Sequence, residues 1–497
     1  MQYIVVPMEG WRSQRMSDFA AGRPMREIVR RARAEAAATG ERSTRPIPRL
    51  ADAHYALLAS LSADGPKVLD MSPATARQLR EEAPSTLVEP NLRVEAAVRP
   101  AVRIARVEAW KPGPDAQRLR VRVVDEAGAP VAGARVLAYA DAHEDRGASR
   151  NTGSSGLASF ALPSDISRIP RLQVLAPAGY RSIAKVRVAT NGEIEVALQT
   201  IDPATMRDAL SSWREGLDPR AGQGVRVGVV DTGVDTRHPD LAHVATVSVY
   251  GYDEAEGFPH PHANQVAGII GARGPVFRGL APEAELHSYR ITPLGKRESD
   301  AFHLGEGVAR AARDNDLHLI NISMVQSKPA QYLAKAAAEA YQQGAVCIAA
   351  AGNDGRDQLS YPAAAKRVVA VTAFGDRSAL AADAIELTDL TAVISSSRPD
   401  LFRARFSNWG PETDFIAPGV GLISCQGQSG YTVDSGTSFA APVVTGLAAA
   451  MLSKHYPTIL AMPKGPQRAA AITKALLDRG LDLGFAFETQ GIGMVNG

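Results

Sequence analysis

Residues 225–235 read VRVGVVDTGVD. The run is apolar except for Arg226, ends on Asp231, and passes into a Thr-Gly turn. A strand that is apolar on both faces belongs inside a parallel sheet covered by helices. The segments that follow keep the same grammar. AFHLGEGVARAARDN (301–315) has helical periodicity, and LHLINIS (317–323) reads as a buried strand. KPAQYLAKAAAEAYQQG (328–344) is a second helix, followed by strands AVCIAAAG (345–352) and KRVVAVTAF (366–374). Alternation of this kind predicts an α/β domain over residues 222–497, with a parallel sheet and helices on both faces. Functional groups in such sheets collect at the carboxyl ends of the strands, where DTG (231–233), NIS (321–323) and GND (352–354) all fall.

Working outward, residues 1–100 mix strands and helices and read as an α+β domain. YIVVP (3–7) is a strand, MREIVRRARAEAAA (25–38) a charged helix, and RSTRPIPRL (42–50) a loop. Ser72 can cap a helix whose first turn holds Pro73, and STLVEPNLRVE (85–95) is an extended strand leaving that domain. Residues 101–200 change character. LRVRVVD (119–125) alternates strictly, and VAGARVLAY, GLASFAL, RLQVLAP, IAKVRVA and EIEVAL follow at short intervals with turn residues between them. That pattern predicts a β-sandwich. Residues 201–221 read as a helical linker, giving a multidomain chain.

Composition narrows the functional classes. The 497 residues suggest about three domains. With 55 basic and 53 acidic residues, the formal charge of +2 predicts no attraction to nucleic acid. No run of eighteen apolar residues occurs, so no membrane span is expected. YIVV is too short for a signal-peptide core and no basic segment precedes it, so the expected location is cytoplasmic, with export to the periplasm or medium as the alternative. Cys347 and Cys425 exclude a four-cysteine zinc site and are expected as two reduced thiols, one bridge being the alternative.

Three stretches carry chemistry. In VDSGTSFAAPVVTG (433–446), Ser438 sits where an Ala-rich helix begins, a place whose free N–H groups favour developing negative charge. Asp231, at the end of its strand, can hold a histidine in one tautomer, and Asn353 in IAAAGNDG (348–355) can donate to an oxyanion. Each has a plain structural reading as well: a helix cap, a strand-end turn, and an Asn-Asp-Gly turn. HPHANQVAGIIG (260–271) adds two histidines, His260 and His262.

Taken in order, DTGVDTRHPDL, HANQVAG, GLAPEAEL, INIS, AAAGNDG, FSNWGP, FIAPG and SGTSFAAP resemble the subtilisin-like serine proteases over residues 222–497. The resemblance implies an endopeptidase acting on protein or peptide substrates. Ser438 would be the nucleophile, His262 its base, Asp231 the residue that orients the imidazole, and Asn353 with the Ser438 N–H the oxyanion hole. Substrate contacts are implied for Ser323, Met324, Val325, Gly352, Asp354 and Ser360, with Asp354 and Ser360 suggesting a basic residue before the cut. His260 has no counterpart and is expected to be a solvated loop residue.

Departures from the family pattern are local. HANQ replaces His-Gly-Thr-His, so Ala263 adds a methyl and Gln265 replaces a second histidine. Val325 and Gln326 stand where the family commonly has Gly-Gly, which predicts a narrower cleft edge. Asp240 matches a family calcium ligand, but the partner loop IIGARGPVFR (269–278) lacks polar ligands, so neither calcium nor any other cofactor is expected. KVLDMSPATARQLREEAPSTLVEPNLRVE (67–95) resembles the inhibitory prodomain of the family, which makes STLVEPNLRVEAA (85–97) an internal inhibitor, with processing near 96–105 or 200–222. DEAGAPVAGARV (125–136) resembles carboxypeptidase-regulatory or transthyretin-like modules. Two rivals stay open. DTGV (231–234) and DSGT (434–437) resemble the paired motifs of aspartic proteases, and the altered residues beside His262 allow an inactive scaffold that binds a partner.

Overall fold

The computed structural model describes residues 1–7, 55–60, 66–82, 86–98, 117–139, 147–162, 166–190, 192–216, 218–249 and 257–497. The helix expected over 25–38, the loop at 42–50 and residues 99–105 of the first processing region lie outside the described residues.

The N-terminal unit is a four-stranded antiparallel sheet of β1 (Gln2–Pro7), β2 (Tyr55–Ser60), β3 (Lys67–Met71) and β4 (Thr86–Pro90), ordered β2-β3-β1-β4. Helix α1 (Pro73–Glu82) crosses it, and Ser72 Oγ accepts from Thr75 N–H at 3.0 Å, the cap expected at that serine. Ile4, Val6 and Val68 share one apolar cluster with Tyr332 and Leu333 far along the chain. The sheet is therefore plastered onto the large domain. Strand β5 (Arg93–Ala96) leaves it and runs into that domain.

A sandwich follows, with seven strands among the described residues. Its strands are β6 (Gln117–Asp125), β7 (Arg135–Tyr139), β8 (Gly147–Asn151), β9 (Leu157–Leu162), β10 (Arg168–Leu175), β11 (Ile183–Ala189) and β12 (Glu193–Leu198). One sheet is β11-β10-β7-β8 and the other β12-β6-β9. Leu119, Val121 and Val123 all point into a core of their own with Val136, Phe160, Leu172 and Val196, as strict alternation requires. Among the described residues of the linker expected to be helical, only α2 (Ser211–Gly216) is a helix. Asp208 explains the difference: its carboxylate accepts from the Leu210 N–H and from Ser211 Oγ, which favours a turn over a longer helix.

The large domain is an eight-stranded sheet of β13 (Arg226–Asp231), β14 (Ala245–Ser248), β15 (Glu285–Arg290), β17 (Leu319–Ile322), β19 (Val346–Ala350), β20 (Val368–Asp376), β21 (Leu401–Arg403) and β22 (Phe415–Pro418). The order is β14-β15-β13-β17-β19-β20-β21, with β22 also pairing β20, and only the β20–β21 pair is antiparallel. Helices α3 (His262–Gly271), α4 (Ala301–Asp314), α5 (Gln331–Gln342) and α6 (Thr437–His455) complete the layers. Every residue of α6 from Thr437 to Leu452 is buried, which matches its largely apolar sequence. Among the described residues no helix is long and apolar enough to cross a membrane.

Leu447 of α6 is fully enclosed in the main apolar cluster. Leu447→Ala is expected to lower the unfolding free energy by about 2–5 kcal/mol. Urea titration checks this; an unchanged midpoint would contradict a close-packed central helix.

Candidate active site

The site is assembled at the carboxyl end of the parallel strands. Asp231 closes β13, and His262 opens α3. His262 Nδ1 and Asp231 Oδ1 lie 2.7 Å apart, and both side chains are wholly buried. Asp231 Oδ1 also accepts from Thr232 N–H at 2.6 Å. A carboxylate only accepts, so this contact places the proton on Nδ1 and leaves Nε2 free to take one. Thr232 supports the pair: its hydroxyl donates to the His260 carbonyl at 2.8 Å and accepts from Ala263 N–H at 3.1 Å.

Ser438 is the second residue of α6, just beyond Gly436, whose φ of 156° suits glycine. Its N–H belongs to the unpaired first turn. Its carbonyl would normally be met by the N–H of residue 442, but Pro442 has none. Ser323 Oγ donates to that carbonyl instead, at 2.9 Å. Asn321 donates to Ser323 Oγ at 3.0 Å, and Thr445 Oγ1 donates to Asn321 at 3.0 Å. A chain of hydrogen bonds thus locks the start of α6 to β17.

Asn353 follows β19. Its Oδ1 accepts from both Thr437 N–H (2.9 Å) and Thr437 Oγ1 (2.8 Å), which fixes which end of the amide is the donor. Nδ2 then donates to the carbonyl of Ala97, and so does Ser438 N–H, at 3.0 Å. Ala97 N–H donates to the Ser323 carbonyl at 2.9 Å. Upstream, β5 is the middle of a three-stranded sheet between β16 (Glu298–Asp300) and β18 (Met324–Val325), with Val94 opposite Ser299, Glu95 opposite Val325 and Ala96 opposite Met324. The strand expected to leave the first domain therefore lies in the cleft of the large one. Val94, Ala96 and Ala97 are buried, and Glu95 is exposed.

The other sequence-derived positions fall into place as follows. Met324 and Val325 supply one backbone edge of the cleft, so Val325 costs no pairing. Gly352, at φ 105°, donates to Thr437 Oγ1 at 3.1 Å. Ser360 N–H donates to the Ala351 carbonyl, and Ser360 Oγ accepts from Asn408 at 3.2 Å. Asp354 pairs with Arg356 at 3.1 Å, which offsets the charge invoked for a basic substrate residue. Gln265 keeps one side-chain bond, to Gln426 at 2.7 Å. His260 departs from its expected solvated loop. It is half-buried, its Nδ1 accepts from His262 N–H at 3.3 Å, and burial, reinforced by the neighbouring imidazole, pushes its pKa down. Thr232, Asn321, Thr437 and Thr445 lie inside the quoted motifs, but the sequence assigns them no role.

The Asp240 carboxylate is engaged within the chain. Its Oδ2 accepts from the Tyr431 hydroxyl at 2.7 Å, and a side chain as small as a methyl at Gly274 would meet its Oδ1 at 2.3 Å. Among the described residues, the ligating side chains grouped with it are those of His238 and Cys425, an imidazole and a thiol. His238 is already used by the Gly430 carbonyl (2.9 Å) and Asp240 N–H (3.3 Å). Both cysteines are free and buried. The two Asp-Thr/Ser-Gly motifs do not share a role, since Asp231 bonds His262 while Asp434 accepts from Ser435 N–H at 2.8 Å.

Residues 222–491 match the sequence model of the subtilase family, Peptidase_S8. Subtilisin DY of Bacillus licheniformis is 30% identical over 281 residues, covering 55% of this chain and 90% of that protein. Subtilisin Savinase of Lederbergia lenta is 32% identical over 237 residues, covering 47% and 78%. Minor extracellular protease Epr of Bacillus subtilis is 31% identical over 246 residues, covering 49% of this chain and 33% of its own length. With the match extending over more than half of its residues, the chain belongs to the subtilase family of serine endopeptidases.

Proposed function

We propose that the chain is a serine endopeptidase made as a self-inhibited precursor, and that its first substrate is its own Ala97–Val98 bond. The observation that carries this reading is the Ala97 carbonyl, which accepts from Asn353 Nδ2 and Ser438 N–H together. These two donors stand where an oxyanion would form. In the proposed reaction Ser438 Oγ attacks the Ala97 carbonyl carbon and His262 Nε2 takes the hydroxyl proton. The tetrahedral oxyanion is held by the two donors. The bond to the Val98 nitrogen breaks, and His262 returns the proton to that nitrogen, leaving Ala97 acylated on Ser438. Water, deprotonated by the same imidazole, releases the acyl group. Asp231 keeps the imidazole in the tautomer this needs.

Ser438 Oγ and His262 Nε2 are both buried without a hydrogen-bond partner, as is Asp231 Oδ2. An unmet buried polar group costs about 1–3 kcal/mol. A hydroxyl donor and an imidazole acceptor are complementary, as the proposed proton transfer requires. This supports a nucleophile and base over the inactive scaffold. After the cut, residues 1–97 would remain as a product in the cleft. Every step is assigned to groups of the chain itself, with no metal or cofactor.

Wild-type protein is expected to yield fragments 1–97 and 98–497 by intact-mass spectrometry, and Ser438→Ala is expected to stay whole. Equal processing of the two would refute the reading. Once the inhibitory fragment is removed, Asn353→Ala should lower kcat on a fluorogenic peptide by about 10²–10³-fold, the loss known for one oxyanion donor of subtilisin. A loss below about threefold would remove Asn353 from the oxyanion hole.

A further inference from the structure

We infer that the β-sandwich is a permanent part of the working enzyme: processing removes residues 1–97 alone, and residues 98–497 stay together as one unit. This rests on the peptidase reading of Ser438. It chooses between the two processing regions that the sequence left open, and three independent features of the fold carry it.

The first is a seam between the sandwich and the large domain. Ile183 of β11 forms a backbone bridge with Ala384, and Ala184 N–H donates to the Asp383 carbonyl at 2.9 Å. Arg181 Nη2 reaches Asp383 Oδ1 at 2.8 Å, with its side chain only 11% exposed. The sandwich therefore meets the large domain through main-chain pairing and an ion pair whose arginine side chain is mostly buried and whose aspartate side chain is 45% exposed.

The second is Ile201. It lies three residues beyond the end of β12. Its N–H donates to the Gly179 carbonyl of the sandwich at 2.8 Å, while its side chain is buried in the apolar cluster of the large domain with Leu210 and Val225. One residue is thus held by both bodies, and the connection has no slack at its start.

The third is the linker itself. The Asp208 side chain is 1% exposed and accepts four hydrogen bonds: from Leu210 N–H (3.0 Å), Ser211 Oγ (3.1 Å), Arg214 Nη1 (2.8 Å) and Ile423 N–H (2.9 Å). Arg214 Nη2 donates to the Ile423 carbonyl at 3.2 Å, and its guanidinium lies over the Phe277 ring. Ile423 belongs to β23 (Leu422–Gln426), which pairs with β24 (Gly430–Asp434), the strand that leads to Gly436 and Ser438. Breaking a buried pair of this kind leaves an uncompensated charge.

Proteolysis needs an extended segment that can lie in a cleft, and tolerance to cutting follows burial and hydrogen bonding of the backbone. Residues 93–97 already have that shape and place. Residues 201–216 have the opposite one: turns and a short helix, bonded locally and anchored to β23. Cutting there first requires detaching the linker from the catalytic body.

Two arms test this on the full-length chain. In the first, the processed wild-type protein is analysed by mass spectrometry and N-terminal sequencing. The expected mature form begins at Val98 and retains the sandwich; a form beginning beyond residue 200 would overturn the inference. In the second, Ser438→Ala protein, which cannot process itself, is treated with trypsin. Arg207 and Arg214 should resist cutting, and adding Asp208→Ala should speed cutting at both by about tenfold or more, because local opening then governs access. Rapid cutting there in the Ser438→Ala protein, with a sandwich fragment eluting separately on gel filtration, would overturn the inference. If wild type stays as intact as Ser438→Ala, the peptidase reading fails and the trypsin arm still decides. If Asp208→Ala does not accumulate as folded protein, the Ser438→Ala digestion decides alone.

Discussion

The carbonyl of Ala97 is held by two donors, the Asn353 amide and the backbone N–H of Ser438. Much of the molecule can be understood as what that contact requires. Ser438 N–H is available because it lies in the first turn of a helix. The Asn353 amide is oriented because Thr437 occupies its oxygen twice. The helix start is held in place because Pro442 frees the Ser438 carbonyl for Ser323, which is tied through Asn321 to Thr445. The peptide is presented because β16 and β18 grip β5 from both sides.

The same contact explains why the N-terminal sheet sits where it does. Glu89, two residues before Asn91, accepts from the N–H groups of Gln331 and Tyr332 at the start of α5. Asn91 accepts from Phe302 N–H, and the Leu92 carbonyl from Ala301 N–H, at the start of α4. Two helix N-termini that would otherwise need water are satisfied by residues 89–92. Burial raises the Glu89 pKa while these two N–H groups pull it down, burial being the larger effect. Docking by the sheet and presentation of Ala97 are one arrangement, spanning the eight residues from Glu89 to Ala96 and their partners.

Legibility in the sequence followed the strength of the local physics. Strands such as 226–231 and helix 437–455 were readable because burial on all sides leaves an unbroken apolar record. Asp231, His262, Asn353 and Ser438 stood out because each ends or begins such an element. The sandwich was readable from period-two alternation. The linker was not, since the Asp208 carboxylate that shapes it is also anchored to Ile423, more than two hundred positions away. His260 differs for a similar reason: its carbonyl is held by Thr232, 28 positions away beside Asp231. The support given by Thr232, Asn321 and Thr445 was also invisible, because hydroxyl and amide side chains leave no periodic trace.

The central claim is that a carboxylate, an imidazole and a hydroxyl act as one cluster beneath a cleft that the chain itself fills. Active-site labelling with a fluorophosphonate, mapped by peptide mass spectrometry, tests it most directly. The account predicts no adduct while residues 94–97 occupy the cleft. After the inhibitory fragment is removed it predicts one equivalent on Ser438, lost on replacing His262 by alanine. An adduct on another residue, or labelling of Ser438 that is indifferent to His262, would contradict it.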